Sequence, residues 1–234
     1  NKLCELRAGA FSGDLARLES LTISSNELAS LGPFTFATLE SLRELTLDNK
    51  RLQSIGQHAF AGLTNLQILS LSLNRLASIA PGTFAGLASL THLYMQNNQL
   101  ASVNFASTFQ GLTTLTCLEL SFNCISTVMA SSNSSTSKTG SLLPELKTLH
   151  MNGNRLTSLG AQTFAGMSSL IELSLSENRI RSIHPDAFRG LAQLKYLYLN
   201  KNEIASLHPD TFVGLEEQLR YLYLYDNDSA LSSL

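Results

Sequence analysis

The chain has 234 residues, a formal net charge of −2 and only 15% charged residues. So weak a net charge does not indicate a nucleic acid or an anionic membrane as a partner. The sequence contains no run of 18 apolar residues, so we expect no direct membrane insertion in this segment. Its few cysteines form neither a disulfide framework nor a clustered zinc site. We therefore expect no cofactor and no metal.

A repeat of about 24 residues runs along the chain. Segments such as LESLTISSNELASLGPFTFATL and LIELSLSENRIRSIHPDAFRGL share the template L-x-x-L-x-L-x-x-N-x-L-x-x-L, followed by four residues and a Phe. A near-fixed period of this length is the signature of a solenoid. We predict one array over residues 1–234, of about nine to ten repeats and incomplete at both ends. Its starts are Leu18, Leu42, Leu66, Leu90, Leu115, Leu146, Leu170, Leu194 and Leu219.

Each column of the template predicts a structural role. The alternation in L-x-L predicts a short strand with one buried face, and one strand per repeat predicts a parallel sheet. The Asn side chains should be buried, where their amides can bond backbone groups and one another. The Phe side chains should stack on the far side of the core from the sheet. The Asn column is Asn26, Asn74, Asn98, Asn123, Asn154, Asn178, Asn202 and Asn227, with Lys50 as the exception. The Phe column is Phe11, Phe36, Phe60, Phe84, Phe109, Phe164, Phe188 and Phe212.

The remainder of each repeat is short and interrupted by Gly and Pro, as in SIAPGTFAGL. Such segments predict turns and short 3₁₀ pieces with little regular helix. Because the sheet side is narrower than this outer side, the array should curve, with the strands on its concave face. The predicted fold is an α/β solenoid of right-handed horseshoe shape.

These repeats resemble the 24-residue "typical" class of leucine-rich repeats, which occurs in Toll-like receptors, Slit proteins and variable lymphocyte receptors. The resemblance covers nearly the whole chain. It implies an extracellular or cell-surface, receptor-like protein, but it does not specify a ligand, because this class binds proteins, glycans, lipids and nucleic acids. The cysteine-rich caps that extracellular members usually carry are not visible in this sequence.

One repeat, from Leu115, is longer and lacks its Phe. Residues 129–143 are rich in Ser and Thr, which predicts a loop that does not pack into the core. The loop is either a tolerated surface insertion or a modified, partner-contacting segment. Asn133 begins an N-glycosylation sequon and is the expected acceptor if the protein is secreted. Asn227 also begins a sequon, but its place in the Asn column predicts that it is unmodified.

All six tyrosines fall at outward positions of the predicted strands. Tyr buries a large area at low entropic cost and keeps a polar tip, so such clusters are typical of recognition surfaces. Two alternatives remain: Tyr tolerates half-exposed strand positions, or these side chains contact a following repeat or cap. In the last repeat, Leu222 and Leu224 should be core. The candidate binding patch is Tyr196, Tyr198, Tyr221, Tyr223 and Tyr225.

A smaller central group on the same face consists of His92, Tyr94, Glu119, Phe122 and His150. Glu119 and His150 occupy one column on neighbouring strands, so we expect them to form a charge pair that raises the pKa of His150. The pair is either a pH-sensitive contact or a solvated pair without function.

We predict no internal disulfide among Cys4, Cys117 and Cys124. Cys4 lies several repeats from the other two, and Cys117 and Cys124 occupy the strand and the following turn of one repeat, which do not approach closely enough for a bridge. No catalytic constellation is visible, so we expect a non-enzymatic module that binds a partner protein through its concave face. The alternative is a structural or adhesive component of a matrix, wall or surface filament, which would self-associate.

Overall fold

The computed structural model describes residues 3–7, 9–11, 13, 15–25, 27–48, 51–129 and 143–228. They form short strands and one helical turn, in the chain order β1 (Ser20–Thr22), β2 (Ser30–Leu31), β3 (Glu44–Thr46), β4 (Ser54–Ile55), β5 (Ile68–Ser70), β6 (His92–Tyr94), β7 (Ser102–Asn104), α1 (Phe105–Thr108), β8 (Cys117–Glu119), β9 (Thr127–Met129), β10 (Thr148–His150), β11 (Ser158–Leu159), β12 (Glu172–Ser174), β13 (Ser182–Ile183), β14 (Tyr196–Tyr198) and β15 (Tyr221–Tyr223).

One nine-stranded parallel sheet forms the concave face, in the order β1-β3-β5-β6-β8-β10-β12-β14-β15. The register is that of the repeat: Leu45 lies beside Leu69, and Leu173 beside Leu197. The middle residue of these strands is fully buried from β3 to β14. The predicted solenoid, with one strand per repeat, is confirmed.

The Phe column forms two stacked runs opposite the sheet. Phe11, Phe36, Phe60, Phe84 and Phe109 stack with successive ring centroids 5.7–6.2 Å apart. A second run joins the last three members of the column, at 6.2–6.3 Å. The interruption falls at the repeat that lacks its Phe. The predicted spine is therefore present in two segments.

The described members of the Asn column are buried, except for the half-buried Asn227, and their amides do not bond one another. Asn98 is typical: its Oδ1 accepts from the Leu76 backbone N–H at 3.0 Å, and its Nδ2 donates to the carbonyls of Leu71 at 2.9 Å and Met95 at 3.1 Å. Each side chain thus joins backbone of its own repeat to backbone of the preceding one. The predicted bonds from the amides to backbone groups are present. The predicted amide ladder is wrong for the described residues, because backbone groups already occupy the donor and acceptor atoms of each amide. Asn26 and Lys50 lie outside the described residues.

The outer side of each repeat is built from turns, as predicted, with α1 as one short helical turn. The side chain of Asn104 caps α1 by accepting from the N–H groups of Ala106 and Ser107. Three additional two-stranded sheets, which the sequence did not predict, are β2-β4, β7-β9 and β11-β13. In the described part of the chain, no helix is long and apolar enough to cross a membrane.

The last described repeat is less covered than the central ones. Leu222, the middle residue of β15, is 37% exposed, and Leu224 is half-buried. The expectation that both are core is wrong for Leu222, because β15 has a partner strand on only one side within the described sheet. Asn227 keeps its place in the Asn column and bonds the backbone of Ile204, Leu199 and Leu224.

Candidate functional site

The concave face presents three columns of outward side chains, because alternate residues of a strand point to opposite faces. The register places equivalent residues of successive repeats side by side, as in Tyr94 beside Glu119. The first repeats contribute small polar side chains, such as Ser20 and Thr22. The last repeats contribute aromatic ones, so this face changes character along the array.

Two pairs of tyrosines stack at the C-terminal end of the sheet. The rings of Tyr196 and Tyr221 are 4.8 Å apart and 2° from parallel, and those of Tyr198 and Tyr223 are 4.7 Å apart and 3° from parallel. These spacings equal the distance between neighbouring strands, so the backbone itself sets the stacks. Tyr225, at the edge, is 57% exposed. We call these five residues the tyrosine face.

The environments of Tyr198 and Tyr94 favour the protonated forms of their hydroxyls. Burial raises the pKa of Tyr198, and the negative charge of Glu172 raises it further. Burial likewise raises the pKa of Tyr94, with Cys117 and Glu119 contributing. These phenols therefore offer both an apolar ring and a hydrogen-bond donor to whatever contacts the face.

His150 joins two carboxylates at the centre of the concave face. Its Nδ1 lies 2.8 Å from Glu119 Oε2, and its Nε2 lies 3.1 Å from Glu172 Oε1. The predicted Glu119–His150 pair is present. Sequence reasoning missed Glu172, which occupies another column on the next strand. Diagonal neighbours in a sheet are within reach of long side chains, so this offset could have identified it.

The pKa values of His150 and Glu119 are shifted by their contacts within this cluster. The hydrogen bond to Glu119 raises the pKa of His150 against the opposing effect of burial, and Glu172 adds to the rise. Burial disfavours the charged form of Glu119, but hydrogen bonds from His150 and Ser121 outweigh it and lower its pKa. Each shift therefore favours the charged form of its group.

The Ser121 hydroxyl belongs to the same network. It contacts Glu119 Oε1, to which the Ser121 N–H also donates at 3.1 Å, and it lies 2.6 Å from Asn152 Oδ1. Because both nitrogens of His150 bond carboxylates, no imidazole nitrogen is free to activate this hydroxyl as a nucleophile. The network therefore holds charged side chains in place and does not form a catalytic triad of nucleophile, base and acid.

The other members of the central group do not join His150. The rings of His92 and Tyr94 lie 6.1 Å apart at a tilt of 32°. Phe122 is at the lateral edge of the face, is 50% exposed and has a left-handed backbone with φ of 54°. Its ring covers Gly153, where an added Cβ would approach it to 2.5 Å. The predicted central group is therefore a row of side chains along the concave face, with Phe122 at its margin.

The cysteines are free thiols: Cys4 is exposed, and Cys117 and Cys124 are half-buried. Cys117 lies in β8 between His92 and Thr148. Burial, followed by the charges of Glu119 and Glu172, raises its pKa to about 11. A thiol in this state is a weak nucleophile at neutral pH.

Two further predictions concern metal binding and glycosylation. Within the described ranges, no group of three or more His, Cys, Asp or Glu side chains could hold a metal ion. Asn133, the predicted glycosylation acceptor, and most of the predicted 129–143 loop lie outside the described residues.

The comparisons with known proteins agree with this architecture. A family model described as "Leucine rich repeat" matches residues 1–52, 40–100, 144–204 and 172–228, and a second one matches residues 111–128. No curated protein matches the chain.

Among solved structures, the chain is similar to the one titled "Crystal structure of TLR13-ssRNA13 complex". The TM-score is 0.79 and the sequence identity 31%, over 90% of this chain and 29% of that chain. This chain thus corresponds to less than a third of that protein's length. With its repeats matched over most of its length, the chain belongs to the leucine-rich repeat family.

Proposed function

We propose that this array is a non-catalytic recognition module that binds a partner protein through its concave face. The tyrosine face carries the proposal. Tyr196, Tyr198, Tyr221 and Tyr223 present two rigid, parallel stacks whose geometry is fixed by the sheet before any partner arrives. Preorganised aromatic surfaces bind proteins well because little side-chain entropy is lost on contact.

The central row extends the proposed surface. His92, Tyr94, Glu119 and His150 would supply the polar contacts beside the aromatic anchor, and Phe122 would supply an exposed apolar contact at the edge. Charged pairs at the margin of an interface contribute mainly to orientation and specificity. We therefore assign the tyrosines the larger share of the binding free energy.

A nucleic acid is a weaker candidate for this face, although the TLR13 structure contains single-stranded RNA. The three outward columns of the nine strands contain no Lys or Arg. They do contain four carboxylates: Glu44, Asp48, Glu119 and Glu172. Nucleic-acid affinity depends mainly on cations that neutralise phosphates, so a protein partner fits this surface better.

Catalysis is also a weaker candidate. The raised pKa of Cys117 keeps its thiol protonated, and the Ser121 hydroxyl contacts Glu119 and Asn152. A nucleophile needs an adjacent free base, and His150 is committed to Glu119 and Glu172.

A pair of double variants tests the proposal. Tyr198→Ala with Tyr223→Ala removes one stack, and Thr22→Ala with Thr46→Ala removes side chains of the same column at the other end. Peptides selected from a displayed random library against the wild-type protein serve as probes. We expect the tyrosine variant to lose at least about tenfold in affinity, a loss of about 1.4 kcal/mol, while the threonine variant binds normally.

Sedimentation of the same proteins distinguishes partner recognition from the alternative function as a structural or adhesive component. A structural or adhesive component would self-associate in the absence of any probe, and it would do so equally with and without the tyrosine stack. Unchanged peptide binding by the tyrosine variant would refute the proposed surface.

We further propose that this segment belongs to an extracellular or cell-surface protein and that Asn133 carries a glycan. The resemblance to receptor-type repeats supports the location, and the sequon supports the modification. The protein secreted from animal cells should lose mass on treatment with peptide N-glycosidase. Asn133→Gln should abolish this loss, whereas Asn227→Gln should leave it unchanged.

A further inference from the structure

One lateral flank of the solenoid, immediately after the Asn column, has a charge pattern unlike that of the concave face. In six consecutive repeats the flank sequences are RLQS, RLAS, QLAS, CIST, RLTS and RIRS. They contain five arginines and no Asp or Glu, and the other exposed positions are Gln, Ala, Ser and Thr. The segments are 51–54, 75–78, 99–102, 124–127, 155–158 and 179–182. We call them the basic flank.

Backbone hydrogen bonds align these segments as successive layers. The N–H of Arg75 donates to the Leu52 carbonyl at 2.8 Å, and the N–H of Arg179 donates to the Leu156 carbonyl at 2.9 Å. Corresponding residues therefore repeat along the flank at roughly the spacing between strands, about 4.8 Å. Arginines 24 residues apart in sequence become neighbours on one surface.

The acidic residues of this column are confined to the two ends of the basic flank. Glu27 lies 3.4 Å from Arg51, and Glu203 lies 2.7 Å from Arg181. Between these pairs, Arg75, Arg155 and Arg179 are exposed and make no ion pair with any described residue. The nearby Glu177 is itself paired with Lys201 at 2.8 Å. A protein of net charge −2 thus keeps three arginines uncompensated on one side.

A groove lies within the basic flank. It has a volume of about 600 Å³ and is lined by Gln53, Arg75, Ala77 and Gln99. The lining combines one guanidinium with two amides and a small side chain, so it offers several hydrogen-bond donors without a bulky obstacle. The groove has the size of a small-molecule site, and Arg75 is the one arginine in its lining.

The chemistry of these side chains indicates which class of ligand the basic flank would bind. Guanidinium groups donate paired hydrogen bonds to oxyanions, and a row of them favours a polyanion. RNA would also need aromatic side chains on which its bases stack, and none of the six segments contains an aromatic residue. Amides and hydroxyls between cations instead suit the hydroxyl and sulfate groups of a sugar chain.

We propose that the basic flank is a binding site for a sulfated polysaccharide, separate from the concave face. Arg75, Arg155 and Arg179 supply the free cations, and Gln53 and Gln99 donate to sugar oxygens in the groove. Because the two surfaces lie on different sides of each repeat, the polysaccharide and the protein partner can bind together.

Heparin affinity tests this proposal. The probe is a size-fractionated heparin oligosaccharide, titrated against the whole chain at several salt concentrations. The test variant combines Arg75→Ala, Arg155→Ala and Arg179→Ala. The control combines Arg43→Ala, Arg189→Ala and Arg220→Ala, which removes the same charge outside the flank.

We expect the test variant to bind at least about tenfold more weakly, with a salt dependence reduced by roughly one unit per arginine. The control should bind like the wild type. Equal losses in both variants would indicate an unspecific charge effect and overturn the site. Preference for a single-stranded oligonucleotide of equal charge over heparin would overturn the proposed ligand class. Binding of neutral dextran with heparin-like affinity would overturn the role of charge.

Discussion

The two ends of the concave sheet share one backbone but present different chemistry. Strands β1 and β3 pair in the same parallel register as β14 and β15. The outward residues of β1 are Ser20 and Thr22, whereas those of β15 are two tyrosines. Inward-facing residues therefore set the scaffold, and outward-facing residues can change without disturbing it. This separation allows a recognition surface to be placed on selected repeats.

The strongest test of this division compares an inward with an outward phenylalanine. Phe60 is fully buried between Phe36 and Phe84, while Phe122 is 50% exposed. We expect Phe60→Ala to lower the free energy of unfolding by about 3–5 kcal/mol, because it leaves a cavity in the stack. Phe122→Ala should cost roughly 1 kcal/mol or less. Urea unfolding monitored by circular dichroism measures the free energy of unfolding of both variants. Equal losses would contradict the separate roles of inward-facing and outward-facing residues.

The Asn column provides the second comparison. Asn98→Ala leaves the Leu76 N–H and the carbonyls of Leu71 and Met95 without this partner. The two carbonyls still accept from Asn74 and Asn123, so the Leu76 N–H alone is left unsatisfied, at a cost of about 1–3 kcal/mol. With about 1 kcal/mol for the two lost carbonyl bonds, we expect a total loss of about 2–4 kcal/mol. The exposed Asn65, with one bond of 2.9 Å to the Glu40 carbonyl, is the control. Asn65→Ala should lose less than about 1 kcal/mol.

The cluster around His150 makes a pH-dependent contribution to stability. Its raised pKa means that His150 stabilises the fold fully below its ordinary pKa of 6.5 and that this contribution is lost as pH rises through the folded-state pKa. The lowered pKa of Glu119 means that Glu119 stabilises the fold above its ordinary pKa of 4.5. This contribution to stability is lost as pH falls through the folded-state pKa. The pair should therefore be most stabilising between these limits.

A double-mutant cycle measures this contribution. Glu119→Gln, His150→Gln and the double variant should give a coupling of about 1–2 kcal/mol at roughly pH 6, because hydrogen bonds to charged groups have about this strength. At roughly pH 9, above the ordinary range of His, the coupling should shrink. A coupling independent of pH would show that the pair is not ionic.

The tyrosine stacks give the smallest expected effect on stability. A cycle between Tyr196→Ala and Tyr221→Ala should yield a coupling of about 0.5–1.5 kcal/mol, the usual value for aromatic pairs. Both variants should stay folded by circular dichroism. If either tyrosine variant lost as much free energy of unfolding as Phe60→Ala, the tyrosines would support the fold and would not form an independent surface.

Several features could be predicted from particular residues. The alternation around Leu45 and Leu69 predicted buried strands, and the 24-residue spacing predicted their parallel order. The tyrosines could be assigned to the concave face because their positions follow from the same register. The bonding of Asn98 could not be predicted, because whether an amide bonds a neighbouring amide or backbone depends on distances that only the folded repeat sets.

The solenoid, its register and the outward direction of particular side chains follow from the repeat alone, because each repeat encodes the same alternation of buried and exposed positions. How outward side chains from different repeats meet became visible in the folded protein. It placed Glu172 against His150 from a diagonal position, and it joined arginines from separate repeats into one basic flank. Contacts between layers depend on side-chain reach and on strand spacing, and neither is visible along a single repeat.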